Sequence, residues 1–97
     1  MMQIAFIAKL VVQPDKADEL EQLQKKLSDI THDTEPDTLV YDFIRHRDQA
    51  NTYVVYARFK DDAAFQLHQD APTHEELVPP ILETLAEEMD LQFYELL

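Results

Sequence analysis

The order of apolar and polar positions along the first two thirds of the chain predicts three strands and one long helix. Residues 2–12 are rich in Ile, Phe and Val and predict a strand that is buried on both faces for much of its length. Residues 39–47 and 52–60 predict a second and a third strand, joined by a short hairpin connection at 48–51. The helix follows Pro14, and its apolar residues recur at spacings of three and four: Ala17, Leu20, Leu23, Leu27 and Ile30.

The last third predicts a helical region in two parts. Asp61 can cap a short helix that extends to about residue 69. Thr73 and Glu76 have capping-box spacing, which predicts a second helix start. The pair Pro79-Pro80 is expected to break or restart that helix, because proline lacks the backbone N–H and clashes with the preceding turn.

The remaining pattern completes a recognisable element order. An apolar stripe continues through residues 81–89, and residues 91–96 predict a last strand. The order β-α-β-β-α-β is that of an α+β, ferredoxin-like domain with a four-stranded antiparallel sheet. The 97 residues form one domain, 1–97, because the chain is too short for a second core.

Both faces of the predicted sheet carry apolar residues. Two helices cover only one face of a four-stranded sheet, and the other face is too apolar to remain in water. We therefore expect a homodimer in which two copies pack sheet to sheet. This prediction depends on the second and third strands, which have apolar residues on both faces. The residues of one face and then of the other are Leu39, Tyr41 and Phe43 and then Val40 and Ile44 on the second strand, and Tyr53, Val55 and Phe59 and then Val54 and Tyr56 on the third.

Charge narrows the class of partner. The chain has 20 acidic and 8 basic residues and a formal net charge of −12. This balance argues against nucleic acid and against an anionic membrane surface, since both require basic residues. Every Lys and Arg lies at or before Lys60, so the later acids predict a solvated helix face. With no long apolar run and no leader pattern, we expect a soluble, cytoplasmic protein.

Two missing residue types exclude several chemistries. The chain has no cysteine, so it has no disulfide, no thiolate nucleophile and no cysteine zinc site. It has no glycine, which removes the phosphate loop and the dinucleotide fingerprint. Histidine, tyrosine and arginine are left as the candidate reagents.

Three stretches of the sequence stand out as candidate family motifs: Glu35-Pro36-Asp37-Thr38-Leu39-x-Tyr41, residues 53–68 and Ala71-Pro72-Thr73-His74. In order, they resemble the E-P-G-C-L-x-Y strand opening, the F-x-L-x-E-x-W-x-D-x-x-A-L-x-x-H stretch and the following S-P-x-H of the antibiotic biosynthesis monooxygenase (ABM) family. The resemblance implies a dimeric α+β barrel. Characterised members include cofactor-independent oxygenases of aromatic polyketides or quinols and haem-degrading enzymes, and many other members have no assigned activity.

The resemblance implies a function, and the departures from the family pattern limit it. It implies a monooxygenase that takes an aromatic or quinol-type small molecule and oxygen, and that needs no cofactor. Phe59 replaces the family tryptophan and Ala8 stands where haem-degrading members have asparagine, so haem degradation is disfavoured. Asp37 replaces a common turn glycine, which predicts a left-handed residue or an altered turn. The rival interpretation is a non-catalytic dimeric module that binds a small ligand or serves as a stress-related protein.

His68 is the first candidate catalytic residue. It lies four residues after Ala64 on the predicted short helix and therefore faces the sheet. A buried imidazole could accept a phenolic proton as a general base. The alternative is a structural histidine that hydrogen-bonds a backbone carbonyl or a carboxylate.

The other candidates would line a mostly apolar cavity with a few polar tips. Arg58 and Tyr41 are expected to join His68 as catalytic residues, Arg58 by stabilising an anion and Tyr41 by hydrogen bonding. Each also has a structural alternative, an ion pair for Arg58 and core packing for Tyr41. His74 is either an acid/base partner of His68 or a surface residue, and their spacing matches no standard metal site. The expected substrate-binding residues are Phe59, Tyr56, Phe65, His74 and Tyr94.

One structural observation separates the enzyme from the non-catalytic module. A cavity between sheet and helices, with His68 and a tyrosine or Arg58 converging on it, would favour the enzyme. A filled core at the same place would favour the module.

Overall fold

The computed structural model describes residues 2–97, and this part of the chain folds as a four-stranded sheet with helices on one face. All neighbouring strands are antiparallel, in the order β2-β3-β1-β4. This arrangement confirms the predicted α+β, ferredoxin-like fold. The elements are β1 (Ile4–Val11), a 3₁₀ turn (Pro14–Lys16), α1 (Ala17–Thr34), β2 (Thr38–Arg45), β3 (Thr52–Phe59), α2 (Asp62–Asp70), α3 (Pro72–Glu83) and β4 (Asp90–Glu95).

Alternation along the strands decides which side chains face the helices. On β1, Phe6, Ala8 and Leu10 are buried on the helix-covered face. Ile7 and Lys9 point to the opposite face and are exposed. The buried residues of β3 on the helix face are Tyr53, Val55, Ala57 and Phe59.

The buried stripe of α1 contains two polar residues that the apolar pattern did not predict. Leu20 and Leu27 are buried as expected, but Leu23 only packs against the edge of the core. Gln24 and Thr31 are buried in the middle of the same stripe. Gln24 lies there because its amide bonds to the hydroxyl of Tyr41 on β2, across 3.4 Å.

The caps of the two short helices differ from each other. The Asp61 carboxylate accepts a hydrogen bond from the Ala64 N–H at 2.9 Å, which confirms the predicted cap of α2. The predicted capping box at Thr73 is wrong, because α3 begins one residue earlier, at Pro72. Proline at the first helical position is itself a favoured start, since that N–H has no partner in a helix.

The predicted break at Pro79-Pro80 is also wrong. Both prolines lie inside α3, which continues to Glu83. The carbonyls that lose their partners belong to Glu75 and Glu76, which are exposed, so water can satisfy them.

The helix that was expected to extend to residue 89 ends at Glu83 instead. Thr84 turns back, and its hydroxyl donates to the carbonyl of Ile81 at 2.7 Å. The chain after Thr84 then bonds to the end of β1, where the Ala86 N–H donates to the carbonyl of Val11 at 2.7 Å. Backbone pairing with the sheet thus replaces a further helical turn.

Asn51 takes the one backbone conformation for which glycine is the usual choice. Its φ is 58°, and it is the only non-glycine residue with positive φ among residues 2–97. Asparagine tolerates the left-handed region better than most residues. Asp37 therefore sits in an altered turn, one of the two outcomes expected there.

The helices leave one face of the sheet uncovered. We call it the open face; Ile7 and Ile44, on this face, are 37% and 53% exposed. The open face consists of Ala5, Ile7, Lys9 and Val11 on β1, Val40, Asp42 and Ile44 on β2, Thr52, Val54, Tyr56 and Arg58 on β3, and Asp90, Gln92 and Tyr94 on β4.

None of the helices in residues 2–97 combines the length and apolar character needed to cross a membrane.

Candidate functional site

A cavity of about 150 Å³ lies between the sheet and the helices. Its sheet side is built from residues that alternate onto the helix-covered face, among them Phe6, Ala8 and Val55. Its helix side includes Leu27 of α1 and Ile81 of α3. We call this space the central cavity.

The polar residues of the central cavity form a continuous strip. Gln24 bonds to the Tyr41 hydroxyl, and the Tyr41 ring lies 5.0 Å from the His68 ring, centroid to centroid. The His74 ring follows at 5.1 Å from that of His68, edge to face. Gln69 is the other polar residue of the lining, and no Lys, Arg, Asp or Glu of residues 2–97 contributes to it. The cavity is thus apolar with one neutral polar strip.

His68 reaches the cavity because α2 buries one face. It lies one turn after the buried Ala64, and its side chain is almost fully enclosed, with 1% of the residue exposed. Phe59 packs against the ring with centroids 5.4 Å apart. Packing against aromatic rings restricts the orientation of the imidazole.

Glu35 determines which nitrogen of His68 carries the proton. The His68 Nδ1 lies 2.9 Å from the Glu35 Oε1, and the Thr38 hydroxyl donates to the same oxygen at 2.9 Å. An ionised carboxylate only accepts hydrogen bonds, so Nδ1 must be the donor. A neutral His68 therefore keeps the lone pair on Nε2.

That Nε2 is buried and has no hydrogen-bond partner in the described part of the chain. Buried polar atoms are almost always paired, and leaving one unpaired costs about 1–3 kcal/mol. The structural alternative for His68 explains Nδ1, which does bond to a carboxylate. It does not explain why the other nitrogen of this cavity-lining residue stays unpaired.

Burial keeps His68 neutral. It lowers the pKa of His68 below the ordinary value of 6.5, and the negative charge of Glu35 offsets part of this effect. The pKa of His74 is lowered as well, first by burial and then by the proximity of His68. At neutral pH both rings are therefore unprotonated, and His68 is available as a base.

Tyr41 is held as a neutral phenol. Burial raises its pKa to about 12, and the nearby charge of Glu35 acts in the same direction. The hydroxyl therefore retains its hydrogen at any physiological pH and can donate it to a negatively charged ligand atom.

The structure brings some of the predicted site residues together and separates others. His68, Tyr41, Phe65 and His74 line the central cavity. Phe59 lies behind the lining, where it contacts the rings of His68, Phe6 and Phe65.

Tyr56, Arg58 and Tyr94 do not reach the central cavity. They lie on the open face: Tyr56 and Arg58 each stand next to buried helix-face residues on β3, and Tyr94 pairs with the open-face residue Ala5 of β1. Arg58 follows Ala57 and precedes Phe59, both buried on the helix side. The structure thus places these three beside the uncovered surface and not beside His68.

Two residues of the site were missed in the sequence. Glu35 was noted only as the first residue of the strand-opening motif, although a Thr three residues later is a signal for a local side-chain bond to it. Gln24 occupies the place of an apolar residue in the stripe of α1, one turn from both Leu20 and Leu27. A polar residue at a core position is the signal that was available there.

Metal binding finds no support in the geometry. Within residues 2–97, no three His, Cys, Asp or Glu side chains lie together in a way that could hold a metal ion.

Known proteins share both the sequence pattern and the fold. A sequence model of the family described as antibiotic biosynthesis monooxygenase matches residues 3–79. No curated protein matches the sequence.

Several solved structures superpose over nearly their whole length. A protein from Caulobacter crescentus CB15, named as a candidate antibiotic biosynthesis monooxygenase, is 24% identical with a TM-score of 0.95, over 99% of this chain and 91% of its own. A conserved protein from Methanosarcina mazei Go1 is 24% identical with a TM-score of 0.91, over 97% and 92%. Rv0793 from Mycobacterium tuberculosis is 21% identical with a TM-score of 0.90, over 98% and 95%. At these identities the likeness establishes the fold, and function has to be argued from the site.

Proposed function

The chain belongs to the antibiotic biosynthesis monooxygenase family, and from this premise and the central cavity we propose that it is a cofactor-independent monooxygenase. Its substrate would be an aromatic or quinol-type small molecule. Such a substrate is reduced enough to give electrons to oxygen once it is deprotonated. The protein then has to supply a base, hydrogen bonds and a dry site.

The proposal rests on one observation, that the buried Nε2 of His68 is unpaired although His68 lines the central cavity. The hydrogen bond from Nδ1 to Glu35 leaves this nitrogen as an acceptor that lacks a donor. A substrate hydroxyl in the cavity would supply that donor. The cavity with His68 and Tyr41 on its wall is the arrangement that favours an enzyme over a filled, non-catalytic module.

The first step is a proton transfer. His68 Nε2 takes the proton of a ring hydroxyl, which gives an imidazolium and an electron-rich hydroquinone anion. Glu35 stabilises the imidazolium through the bond at Nδ1. Tyr41, which keeps its hydrogen, donates to the ring oxygen that becomes negative.

Dioxygen is the oxidant. In the remaining steps the substrate supplies the electrons, and His68 is the only protein group that has to transfer protons. One oxygen atom bonds to the ring carbon beside the ionised oxygen, and the other takes the imidazolium proton to give a hydroperoxide. Nε2 then removes the hydrogen of that carbon, the O–O bond breaks, and the departing hydroxide leaves as water with the same proton. A hydroquinone and O₂ give a hydroxyquinone and H₂O, and the substrate supplies all four electrons.

The proposed functional unit is a homodimer formed through the open face. That face carries exposed apolar side chains, and Ile7 lies directly opposite Tyr56 at its centre. A second copy of the same sheet would cover them with a two-fold interface.

Oxygen uptake tests the proposed reaction. The protein is mixed with hydroquinones and with anthrones in an oxygen-electrode cell, and uptake in protein-free solution is subtracted. We expect the wild type to accelerate uptake with at least one compound. His68→Ala should lower kcat/KM by about 10²–10⁴-fold, the usual contribution of a general base.

The matched control is His46→Ala. His46 is exposed and bonds only its own hairpin, through Nδ1 to the N–H groups of Asp48 and Gln49. Its loss should leave oxygen uptake unchanged. No uptake with any compound, or equal uptake in wild type and His68→Ala, would overturn the proposal and leave a ligand-binding module.

A further inference from the structure

We propose that the central cavity selects a neutral hydroquinone with a single ring, and that it excludes fused three-ring substrates and ring carboxylates. The inference rests on the proposed function for the reaction, because it names the substrate class of the same site. Its argument uses only the size, charge and polar lining of the cavity.

The size of the cavity sets the number of rings. A volume of about 150 Å³ is that of an engineered apolar cavity that binds benzene. One substituted ring fills such a space, whereas three fused rings need far more. The inner walls cannot expand freely, because Leu10 and Ile81 are themselves buried in the core, whereas the side that carries Leu82 and Leu91 opens to solvent.

The charge of the lining excludes an anionic ring. The lining contains no Lys or Arg among residues 2–97, and the whole chain carries a net charge of −12. A carboxylate in the cavity would lose its water without gaining a cationic partner, which is costly. His68 and His74 do not supply that charge, since burial lowers the pKa of each ring.

The polar strip dictates how the ring lies. The hydroxyl that loses its proton has to meet Nε2 of His68, and Tyr41 lies next to that ring. The body of the ring then rests on apolar side chains such as Val55 and Leu27. A small alkyl group on the ring adds apolar contact at no cost in charge.

Two lining residues set the limits of the space. Ala8 is a small, buried residue on the sheet side, and a larger side chain there would project into the cavity. Met89 is a partly buried wall residue outside the regular elements, so shortening it would enlarge the cavity with little disturbance of the core.

Calorimetric titration without oxygen tests the inference, because it measures binding in the absence of turnover. The probes are methylhydroquinone, anthrone and 2,5-dihydroxybenzoate. We expect methylhydroquinone to bind, and the other two to bind at least about tenfold more weakly. Ala8→Leu should abolish methylhydroquinone binding, and Met89→Ala should strengthen anthrone binding relative to wild type.

Ala63→Leu is the control for the added bulk, because Ala63 is exposed on α2 and should not affect any titration. Circular dichroism checks that each variant is folded. Anthrone or 2,5-dihydroxybenzoate binding as tightly as methylhydroquinone, or no binding of methylhydroquinone at all, overturns the inference. Selective binding of methylhydroquinone without oxygen uptake would instead uphold this selectivity and overturn only the proposed reaction.

Discussion

At the level of single residues, the chemistry of the central cavity depends on a carboxylate that does not line it. Glu35 bonds to Nδ1 of His68 and to the Thr38 hydroxyl through the same oxygen. It fixes the tautomer of the imidazole, and its charge counteracts the effect of burial on the pKa of His68. Glu35 is therefore a positioning residue that acts through His68.

Glu35→Gln should weaken the base without removing it. The amide oxygen can still accept from Nδ1, but the negative charge is lost, so the pKa of His68 falls further below 6.5. Only the neutral imidazole accepts a proton, so activity is lost as the pH falls through this pKa. The acid limb of the kcat/KM profile should move to lower pH in the variant, and the plateau should drop about 10–100-fold.

The control for this experiment is Glu76→Gln, which removes an exposed carboxylate from α3. Its profile should superpose on that of the wild type. An acid limb in Glu35→Gln at the wild-type pH would show that the charge of Glu35 does not act on the base.

Tyr41 should make the folded state sensitive to alkali. Its pKa is about 12 in the folded protein and about 10 in an unfolded chain, so the folded state favours the protonated phenol. This contribution is complete below pH 10 and is lost as the pH rises from 10 to 12, at most about 2–3 kcal/mol. Urea unfolding at pH 9 and 11 should show a smaller alkaline loss in Tyr41→Phe than in wild type. Equal losses in both proteins would show that Tyr41 ionises as easily when folded.

The sequence motifs located four lining residues, His68, Tyr41, Phe65 and His74, since each lies in a recognisable stretch. They did not locate Glu35 as the partner of His68, because the two residues are 33 positions apart and only the folded chain brings α2 against the turn between α1 and β2. The predicted site also combined Phe59 with Tyr56 and Arg58, which lie on the opposite face of β3. Side chains alternate along a strand, so residues next to Phe59 could not share its face.

Among the elements of secondary structure, α2 matters most, because it carries His68 and Phe65 into the site. The helix has nine residues, too few to be stable without its cap and its packing. The capping pattern at Asp61 was a reliable guide, whereas that at Thr73 was overridden by Pro72. The two internal prolines of α3 were misread, because their cost depends on whether the freed carbonyls meet water, which the sequence does not state.

Asp61→Ala should destabilise the protein by about 1 kcal/mol, because the Ala64 N–H then loses its 2.9 Å acceptor. Denaturant unfolding measures this change in the free energy of unfolding. Asp62→Ala is the matched control, since Asp62 is exposed in the first turn and no side-chain cap depends on it. A loss as large in the control as in Asp61→Ala would show that charge near the helix start, and not the cap, is responsible.

For the molecule as a whole, the number of strands and helices leaves the open face uncovered, and this much was predictable from the apolar residues on both strand faces. The sequence also predicted the right element order, because short connections and antiparallel neighbours allow few alternatives.

The net charge of −12 per chain opposes association of two copies. The proposed dimer therefore has to rely on apolar contact, and added salt should strengthen it by screening.

Tyr56→Glu should separate the proposed dimer. Tyr56 lies opposite Ile7 and Asp42 on the open face, so a carboxylate there would remove a large apolar side chain from the interface and add a negative charge beside Asp42. Sedimentation velocity should show a dimer for wild type and a monomer for the variant. Leu67→Glu, at an apolar residue of α2 that is 58% exposed, should remain dimeric. A monomeric wild type would overturn the proposed dimer.

The protonation of His68 is the most direct test of the proposed mechanism. In protein labelled with ¹⁵N-histidine, NMR at neutral pH should show a protonated Nδ1 and an unprotonated Nε2, with His68→Ala to assign the signals. Anaerobic addition of methylhydroquinone should move the Nε2 signal toward that of a protonated nitrogen, as it gains the missing donor. A protonated Nε2 in the free protein, or an Nε2 signal that the bound hydroquinone leaves unchanged, would show that His68 is not the base.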